Sequence, residues 1–94
     1  MKENRLLNHL DHMERAAFNA SNFVKGMTPD DFLRDERTQQ AVFMSILVIG
    51  ETVAAIKKEH PDFISKHGDV DWQGMYLMRN HMAHKYFNID TDLV

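Results

Sequence analysis

The amino-acid sequence lacks cysteine, an excess of positive charge and any apolar run of membrane-spanning length. Without cysteine, the chain has no disulfide bonds, thiolate nucleophiles or thiolate metal ligands. A formal net charge of −3 argues against a protein that coats nucleic acid through a basic surface. The longest apolar run, residues 41–49, is far shorter than the roughly 20 residues of a membrane span, and the N-terminal residues lack the apolar core of a signal peptide. We therefore expect a soluble, cytoplasmic protein with no membrane partner.

The residues that are present fit one small domain. The chain has 94 residues, of which 44% are hydrophobic, and this fraction is too high for a disordered chain. The length is close to the lower limit at which a single hydrophobic core is sufficient. There are no internal repeats, low-complexity segments or long linkers, so we expect residues 1–94 to form a single domain.

Apolar side chains recur at helical spacing near the N-terminus. We predict a first helix over about residues 4–25, and Gly26 is a favourable residue to end it. The predicted apolar stripe of this helix consists of Leu6, Leu10, Met13, Ala17, Ala20 and Val24. Thr28 and Pro29 then predict a capped helical turn that brings Phe32 and Leu33 into the core.

The remaining pattern predicts two longer helices. One runs over about residues 36–58, and the other runs over about residues 72–87, with Asp71 as its N-cap. Residues 63–68 between them are predicted to form a loop or a partial turn. The fold class that follows is all-α, an antiparallel up-down bundle of about four helices.

The helix over residues 36–58 is the most apolar part of the chain. Its apolar seam is Val42, Ile46, Ile49, Val53 and Ile56, and the segment 41–49 is apolar on nearly every side. A helix of this kind must be covered on every side, and a domain this small has few helices to cover it. We therefore expect a homodimer, because oligomers are most often two-fold symmetric. The alternative is a central core helix in a chain that does not dimerise.

The segment from Met75 to Phe87 concentrates the reactive side chains of the chain. Within eight positions it contains Arg79, Asn80, His81, His84, Lys85 and Tyr86. On a helix, Arg79 and Tyr86 lie nearly on one line, whereas Asn80 and His84 are one turn apart and within reach of each other.

The spacing Arg79-x4-His84-x-Tyr86 resembles the motif of the HEPN superfamily, and specifically of HepT-like toxins. Similar segments are found at 32–39, 49–51 and 71–73, so the resemblance covers nearly the whole chain. Members of this family continue past the motif into a further helix, whereas this sequence ends at Val94. We therefore expect a single HEPN-like domain without that C-terminal helix.

The resemblance implies the toxin of a toxin–antitoxin pair. Such a toxin is a metal-independent endoribonuclease that cleaves RNA, for example tRNA or mRNA, at the cleft of a homodimer. Arg79 and His84 would be its catalytic residues, with Asn80 and Tyr86 in supporting roles. The resemblance also implies a minimal nucleotidyltransferase (MNT) antitoxin as a partner, with Tyr86 as the tyrosine that the antitoxin can adenylylate.

The chemistry of these side chains is compatible with cleavage of RNA by its own 2′-hydroxyl. Histidine titrates near neutral pH and can move the protons, while a guanidinium is always charged and can stabilise the phosphorane. Asn80 can orient the imidazole of His84, and Tyr86 can bind phosphate or stack on a base. His81 and His84 form an H-x-x-H pair, but two ligands are too few for a closed zinc site. We therefore predict neither a metal nor another cofactor.

Other interpretations of the same residues remain open. Arg79 can form a structural ion pair with Asp35 or Glu51, and His84 can be an ordinary half-buried histidine. Tyr76 and Tyr86 can be amphipathic residues at the edge of the core. The second hypothesis for function is a non-catalytic module that binds a nucleotide or phosphate and pairs with a nucleotidyltransferase, because anion binding needs donors but no proton transfer.

Overall fold

The computed structural model describes the backbone of residues 2–87 and the side chains of residues 4–85. Within that part of the chain there are five α-helices and no strands. They are α1 (Lys2–Phe23), α2 (Pro29–Leu33), α3 (Glu36–Glu59), α4 (Pro61–Lys66) and α5 (Trp72–Phe87). The all-α class is confirmed, and the three long helices agree with their predicted bounds to within about two residues.

Helix α3 is the centre of the fold, because α1, α2, α4 and α5 all pack against it. The first turns of α1 lie near the last turn of α3, where Arg5 approaches Glu59. Arg79, near the middle of α5, contacts Glu51 of α3, and Trp72 at the start of α5 lines a cavity together with Lys57, which is closer to the end of α3. Both long neighbours therefore run antiparallel to α3, as the up-down prediction requires.

The helix ends follow the local sequence. Gly26 has a positive φ of 79°, which favours glycine, and it follows the end of α1. Thr28 and Asp31 form a capping box at the start of α2. Asp35 caps α3, since its carboxylate accepts hydrogen bonds from both the backbone N–H and the hydroxyl of Thr38. These hydrogen bonds hold the pKa of Asp35 below its usual value.

Three details of the prediction are corrected. Ala17 is exposed and Ala16 is buried, because α1 steps by three residues after Met13 to keep its apolar stripe on α3. Leu33 is exposed, since the single turn of α2 can direct only Phe32 inward. Residues 61–66 form helix α4 instead of a loop, with Pro61 at its first position.

Helix α3 is long and apolar enough, by length and composition, to cross a membrane, although its longest apolar run is short. The central helix of a soluble bundle meets the same criterion, and α3 contributes Val53 and Ile56 to the buried core. Other parts of its surface are only half-covered, and Met44 is exposed. This partial burial of α3 agrees with the expectation that the other helices of one chain cover only part of its surface. The expected dimer stays a prediction.

Candidate functional site

The start of α5 is held firmly against the preceding loop. Asp71 is the N-cap, since its Oδ1 accepts a hydrogen bond from Gly74 N–H at 2.9 Å. The indole Nε1 of Trp72 donates to the carbonyl of His67 at 3.0 Å, and its ring meets Phe63 edge to face. These contacts fix the direction in which α5 leaves the loop, and so fix the positions of the side chains that follow.

Arg79 lies between α5 and α3, with only 14% of its side chain exposed. Its Nη1 donates to Glu51 Oε1 at 2.6 Å, and its guanidinium carbon lies 4.9 Å from the centre of the Tyr76 ring. A cation over an aromatic face is attracted by the quadrupole of the ring. The ion pair with Glu51, which the sequence analysis left as an alternative to Asp35, is therefore present, and Arg79 is held in one orientation by two different contacts.

Gly50 is the residue of this site whose role sequence reasoning missed. It is buried in the middle of α3, and a Cβ built on it would lie 2.9 Å from Cβ of Arg79. Real Cβ atoms are not found so close to such a neighbour, so any larger residue would push α3 and α5 apart. The sequence feature that could have indicated this role is the pair Gly50-Glu51 inside an apolar helix. Glycine lowers the stability of a helix, and a glutamate among apolar residues needs a partner.

Asn80 is half-buried next to Arg79. Its Oδ1 and the Nε of Arg79 are both buried, and neither forms a hydrogen bond within the described residues. A hydrogen bond from the His84 ring to Asn80 Oδ1 is therefore not formed in this single chain. The orienting role of Asn80 stays a prediction.

His84 points away from the packed side of α5. Both His84 and His81 are exposed, whereas Ala83 between them is buried against the core. Five residues of helix correspond to about 500° of rotation and about 7.5 Å along the axis, so Arg79 and His84 lie about 140° apart around α5. One chain therefore presents its guanidinium and its imidazole on different sides of the helix.

Tyr86 belongs to α5 by its backbone, but its side chain lies outside the described residues. Its predicted roles, in phosphate binding and as an adenylylation site, therefore stay predictions. Among the side chains that the structure describes, no group of three or more histidine, aspartate or glutamate residues is placed to hold a metal ion.

A second group of polar side chains lies on the other side of α3. Glu59 approaches Arg5 at 3.7 Å, His9 at 3.6 Å and His60 at 4.0 Å. Of the two histidines on the first half of α1, His9 is half-buried and His12 is exposed.

Comparisons with known proteins agree with the motif. The model of the family described as "Ribonuclease HepT-like" matches residues 13–94. Two relatives are a Methanocaldococcus jannaschii protein named "Putative RNase MJ0127", 43% identical over 72 residues, and a Thermococcus cleftensis protein named "Probable ribonuclease HepT", 34% identical over 86 residues. The first match covers 77% of this chain and 57% of the relative; the second covers 88% and 76%.

A third relative, "Putative RNase TTE0752" of Caldanaerobacter subterraneus subsp. tengcongensis, is 34% identical over 71 residues. That match covers 76% of this chain and 61% of the relative, so the chain spans between about half and three quarters of the length of these proteins. No solved structure matches the chain. The family match extends through α5 and both motif residues, and the chain therefore belongs to the HepT-like ribonuclease family.

Proposed function

We propose that this protein is a metal-independent endoribonuclease and the toxin of a HEPN/MNT toxin–antitoxin pair, with Arg79 and His84 as its catalytic residues. One observation carries the assignment of these two residues. Helix α5 holds the guanidinium of Arg79 against Glu51 and Tyr76, and the same helix exposes the imidazole of His84 to solvent. RNA cleavage requires both a fixed cation and an accessible proton-transfer group, and α5 supplies one of each.

The reaction needs no group beyond those of the chain and the RNA. The 2′-oxygen forms a bond to the adjacent phosphorus, and the bond from phosphorus to the 5′-oxygen breaks. His84 takes the proton of the 2′-hydroxyl or supplies one to the leaving 5′-oxygen. Arg79 donates to the non-bridging oxygens, whose negative charge increases in the phosphorane. The products are a 2′,3′-cyclic phosphate and a 5′-hydroxyl.

A second copy of the chain completes this site in our proposal. One chain has Arg79 and His84 on different sides of α5, and it supplies one histidine where the reaction uses an acid and a base. The outward side of α5 also carries Leu77 and Met78, which are 50% and 49% exposed. Leu77 and His84 are seven residues apart and lie on one line of the helix. Pairing of this face with its copy would bury the apolar side chains and bring two histidines together.

The antitoxin partner is a nucleotidyltransferase in this proposal, and both proteins act in the cytoplasm. Tyr86 is seven residues from Arg79, so the two residues lie nearly on one line of α5. Transfer of AMP to the Tyr86 hydroxyl would add a negatively charged phosphate near that line, and we expect this modification to weaken the binding of RNA.

The alternative is a module that binds nucleotide or phosphate without catalysis. The Arg79–Glu51 ion pair does not separate the two functions, because Glu51 lowers the positive charge available both for catalysis and for phosphate binding. Glu51 is 56% exposed, however, and a phosphate can displace an exposed carboxylate from part of the guanidinium fork.

The test is incubation of the purified protein with total tRNA in EDTA, followed by analysis of the new RNA ends. We expect cleavage that leaves 2′,3′-cyclic phosphate, and a loss of about 100-fold or more in the His84→Ala variant. His12→Ala is the matched control, because His12 is an exposed histidine on α1 and outside the motif. Absence of cleavage by the folded protein would favour the binding module, and equal cleavage by His84→Ala would overturn the catalytic role of His84.

A further inference from the structure

We propose that the cavity between α3 and the start of α5 binds one nucleotide unit of single-stranded RNA, with its base in the cavity and its phosphate at Lys57 and Lys58. The RNA nature of this ligand rests on the proposed function, whereas the cavity and its chemistry do not. The cavity has a volume of about 720 Å³ and is bounded by α3, α4, the loop before α5 and α5 itself. This is within the range of about 300–1,000 Å³ that is usual for small-molecule sites.

The walls of the cavity suit a flat, largely apolar ring. Val53 and Ala54 of α3 and Ile64 of α4 form one side, and Trp72 and Tyr76 of α5 form the other. Nucleobases stack on aromatic side chains, and this contact tolerates any base sequence. The indole of Trp72 is already oriented by its hydrogen bond to the His67 carbonyl, so binding of a base costs little side-chain conformational entropy.

The charge at the rim is that of a phosphate site. Lys57 and Lys58, in the last turn of α3, both line the cavity and are exposed. Neither lysine forms an ion pair with the described residues. The carboxylate in the lining belongs to Asp71, and its Oδ1 accepts the N-cap hydrogen bond from Gly74. A local excess of positive charge at an apolar cavity is notable in a chain with a net charge of −3.

The cavity is continuous with the site of the proposed chemistry. Trp72, Tyr76 and Arg79 are spaced i, i+4 and i+7, so they form one line along the side of α5 that faces α3. Tyr76 lines the cavity and also contacts the guanidinium of Arg79. A chain of nucleotides that places one base against Trp72 can therefore reach Arg79 about 10 Å further along the helix.

These features favour single-stranded over double-stranded RNA. In a duplex the base faces are stacked within the helix and cannot enter a cavity, whereas an unpaired nucleotide can place its base there. They also argue against an uncharged ligand, which would make no use of the two lysines. The cavity would therefore select an unpaired nucleotide near the cleaved bond.

The experiment uses the intrinsic fluorescence of Trp72, which is the single tryptophan of the sequence. Adenosine 5′-monophosphate and a 2′-O-methyl RNA hexamer are titrated into the full-length protein; the methyl groups block cleavage of the hexamer. We expect saturable quenching by both ligands. The double variant Lys57→Gln/Lys58→Gln should bind the mononucleotide at least about tenfold more weakly, as expected when two phosphate contacts are lost.

The matched control is Lys25→Gln/Lys66→Gln, which has the same change in net charge but alters lysines that do not line the cavity. A second variant, Ala54→Leu, narrows the cavity between α3 and α5 and should prevent quenching by adenosine 5′-monophosphate, because the base can no longer enter. Circular dichroism establishes that each variant is folded. Absence of saturable quenching, or equal weakening in the two double variants, would overturn the proposal.

Binding without cleavage separates this proposal from the proposed function. Titration with adenosine 5′-monophosphate measures the cavity by itself, since neither Arg79 nor His84 lines it. If the protein binds nucleotide at Trp72 but cleaves no RNA, the nucleotide site stands and the ribonuclease proposal fails. If the protein cleaves RNA and the Ala54→Leu and Lys57→Gln/Lys58→Gln variants cleave it equally well, the nucleotide site fails and the ribonuclease proposal stands.

Discussion

Helix α3 has two glutamates that pair with basic side chains on different neighbours, and the two contacts are built differently. Glu51 accepts one hydrogen bond of 2.6 Å from Arg79 of α5. Glu59 approaches three basic side chains at 3.6–4.0 Å and forms no side-chain hydrogen bond that would orient them. The contact at Glu51 holds the guanidinium of Arg79 in one orientation. At Glu59, by contrast, Arg5, His9 and His60 all lie near the carboxylate, and none of them is held in one orientation.

The difference in geometry distinguishes the candidate functional site at Glu51 from the cluster at Glu59, which stabilises the fold. A fixed orientation is useful for a guanidinium that donates hydrogen bonds to a reacting phosphate, because a small displacement weakens those hydrogen bonds. Loose charge pairing is sufficient to hold α1 against α3. Histidine content alone would have pointed to the Glu59 cluster, which has two imidazoles, but its geometry indicates a role in packing.

The largest expected effect is that of Arg79→Gln on RNA cleavage. Loss of the charge that stabilises the phosphorane should reduce the cleavage rate about 100-fold or more, while the free energy of unfolding changes by only about 1 kcal/mol. Arg5→Gln is the matched substitution in the other contact and should leave the rate unchanged. Initial rates on tRNA and urea unfolding curves measure the two quantities. Equal rates for the two variants would remove the functional distinction between the contacts.

The next effect is that of Gly50→Ala on both stability and cleavage. The new Cβ would overlap Cβ of Arg79, which is close to the backbone and cannot move cheaply. Overpacking costs about 1–3 kcal/mol, and the better helix propensity of alanine offsets about 1 kcal/mol of this. We expect a net loss of about 1 kcal/mol and a cleavage rate about tenfold lower, since Arg79 is displaced.

Gly68→Ala is the control for that experiment. The nearest atom to a Cβ at Gly68 is the Ser65 carbonyl oxygen at 3.8 Å, which is ordinary van der Waals contact. The substitution should therefore leave the thermal midpoint close to that of the unmodified protein. A Gly50→Ala variant that behaves like Gly68→Ala would show that α3 and α5 do not require this close approach.

A smaller effect is expected for Glu59→Gln. Removal of the charge shared by Arg5, His9 and His60 should lower the free energy of unfolding by about 1 kcal/mol, because the group is only partly exposed. RNA cleavage by the folded protein should not change. Glu14→Gln, an exposed residue of α1, is the control for the change in net charge. A cleavage defect in Glu59→Gln would mean that the cluster contributes to the site after all.

The smallest effect concerns pH and the N-cap of α3. The pKa of Asp35 is lowered from the model-compound value of 3.8 by its hydrogen bonds to Thr38. Its contribution to stability is therefore full above pH 3.8 and is lost as the pH falls through the lower pKa of the folded state. The difference in unfolding free energy between the unmodified protein and Asp35→Ala should decrease as the pH falls from 3.8 through the pKa of the folded state. A difference that is constant with pH would show that the Asp35 carboxylate is not the stabilising group.

Much of the fold follows from the sequence because its signals are local. The capping residues Thr28, Asp35 and Asp71 and the breaker Gly26 mark helix ends through contacts with their own neighbours. The choice between Ala16 and Ala17 is not local, since it depends on the angle at which α1 crosses α3. The sequence pattern alone is consistent with either residue.

The site was predictable only as a set of residues on one helix. The motif predicts Arg79 and His84 as site residues, which stays a prediction, and Glu51 was one of the two acids given as possible partners of Arg79. Gly50 and the cavity beside Trp72 depend on how closely α3 and α5 approach, which is a property of two helices distant in sequence. The separation of Arg79 and His84 around α5 follows from helix geometry, but its meaning depends on the second chain.

The central position of α3 has a consequence for local unfolding. Backbone amides near Val53 and Ile56, whose side chains are almost fully buried, should exchange with solvent only when the whole domain opens. The first turns of α1, at one edge of the bundle, should open and close more often. Because α5 packs directly on α3, opening of α1 would leave the contact between Arg79 and Gly50 in place. The N-terminal edge of the domain can therefore open locally while the contact between α3 and α5 stays closed.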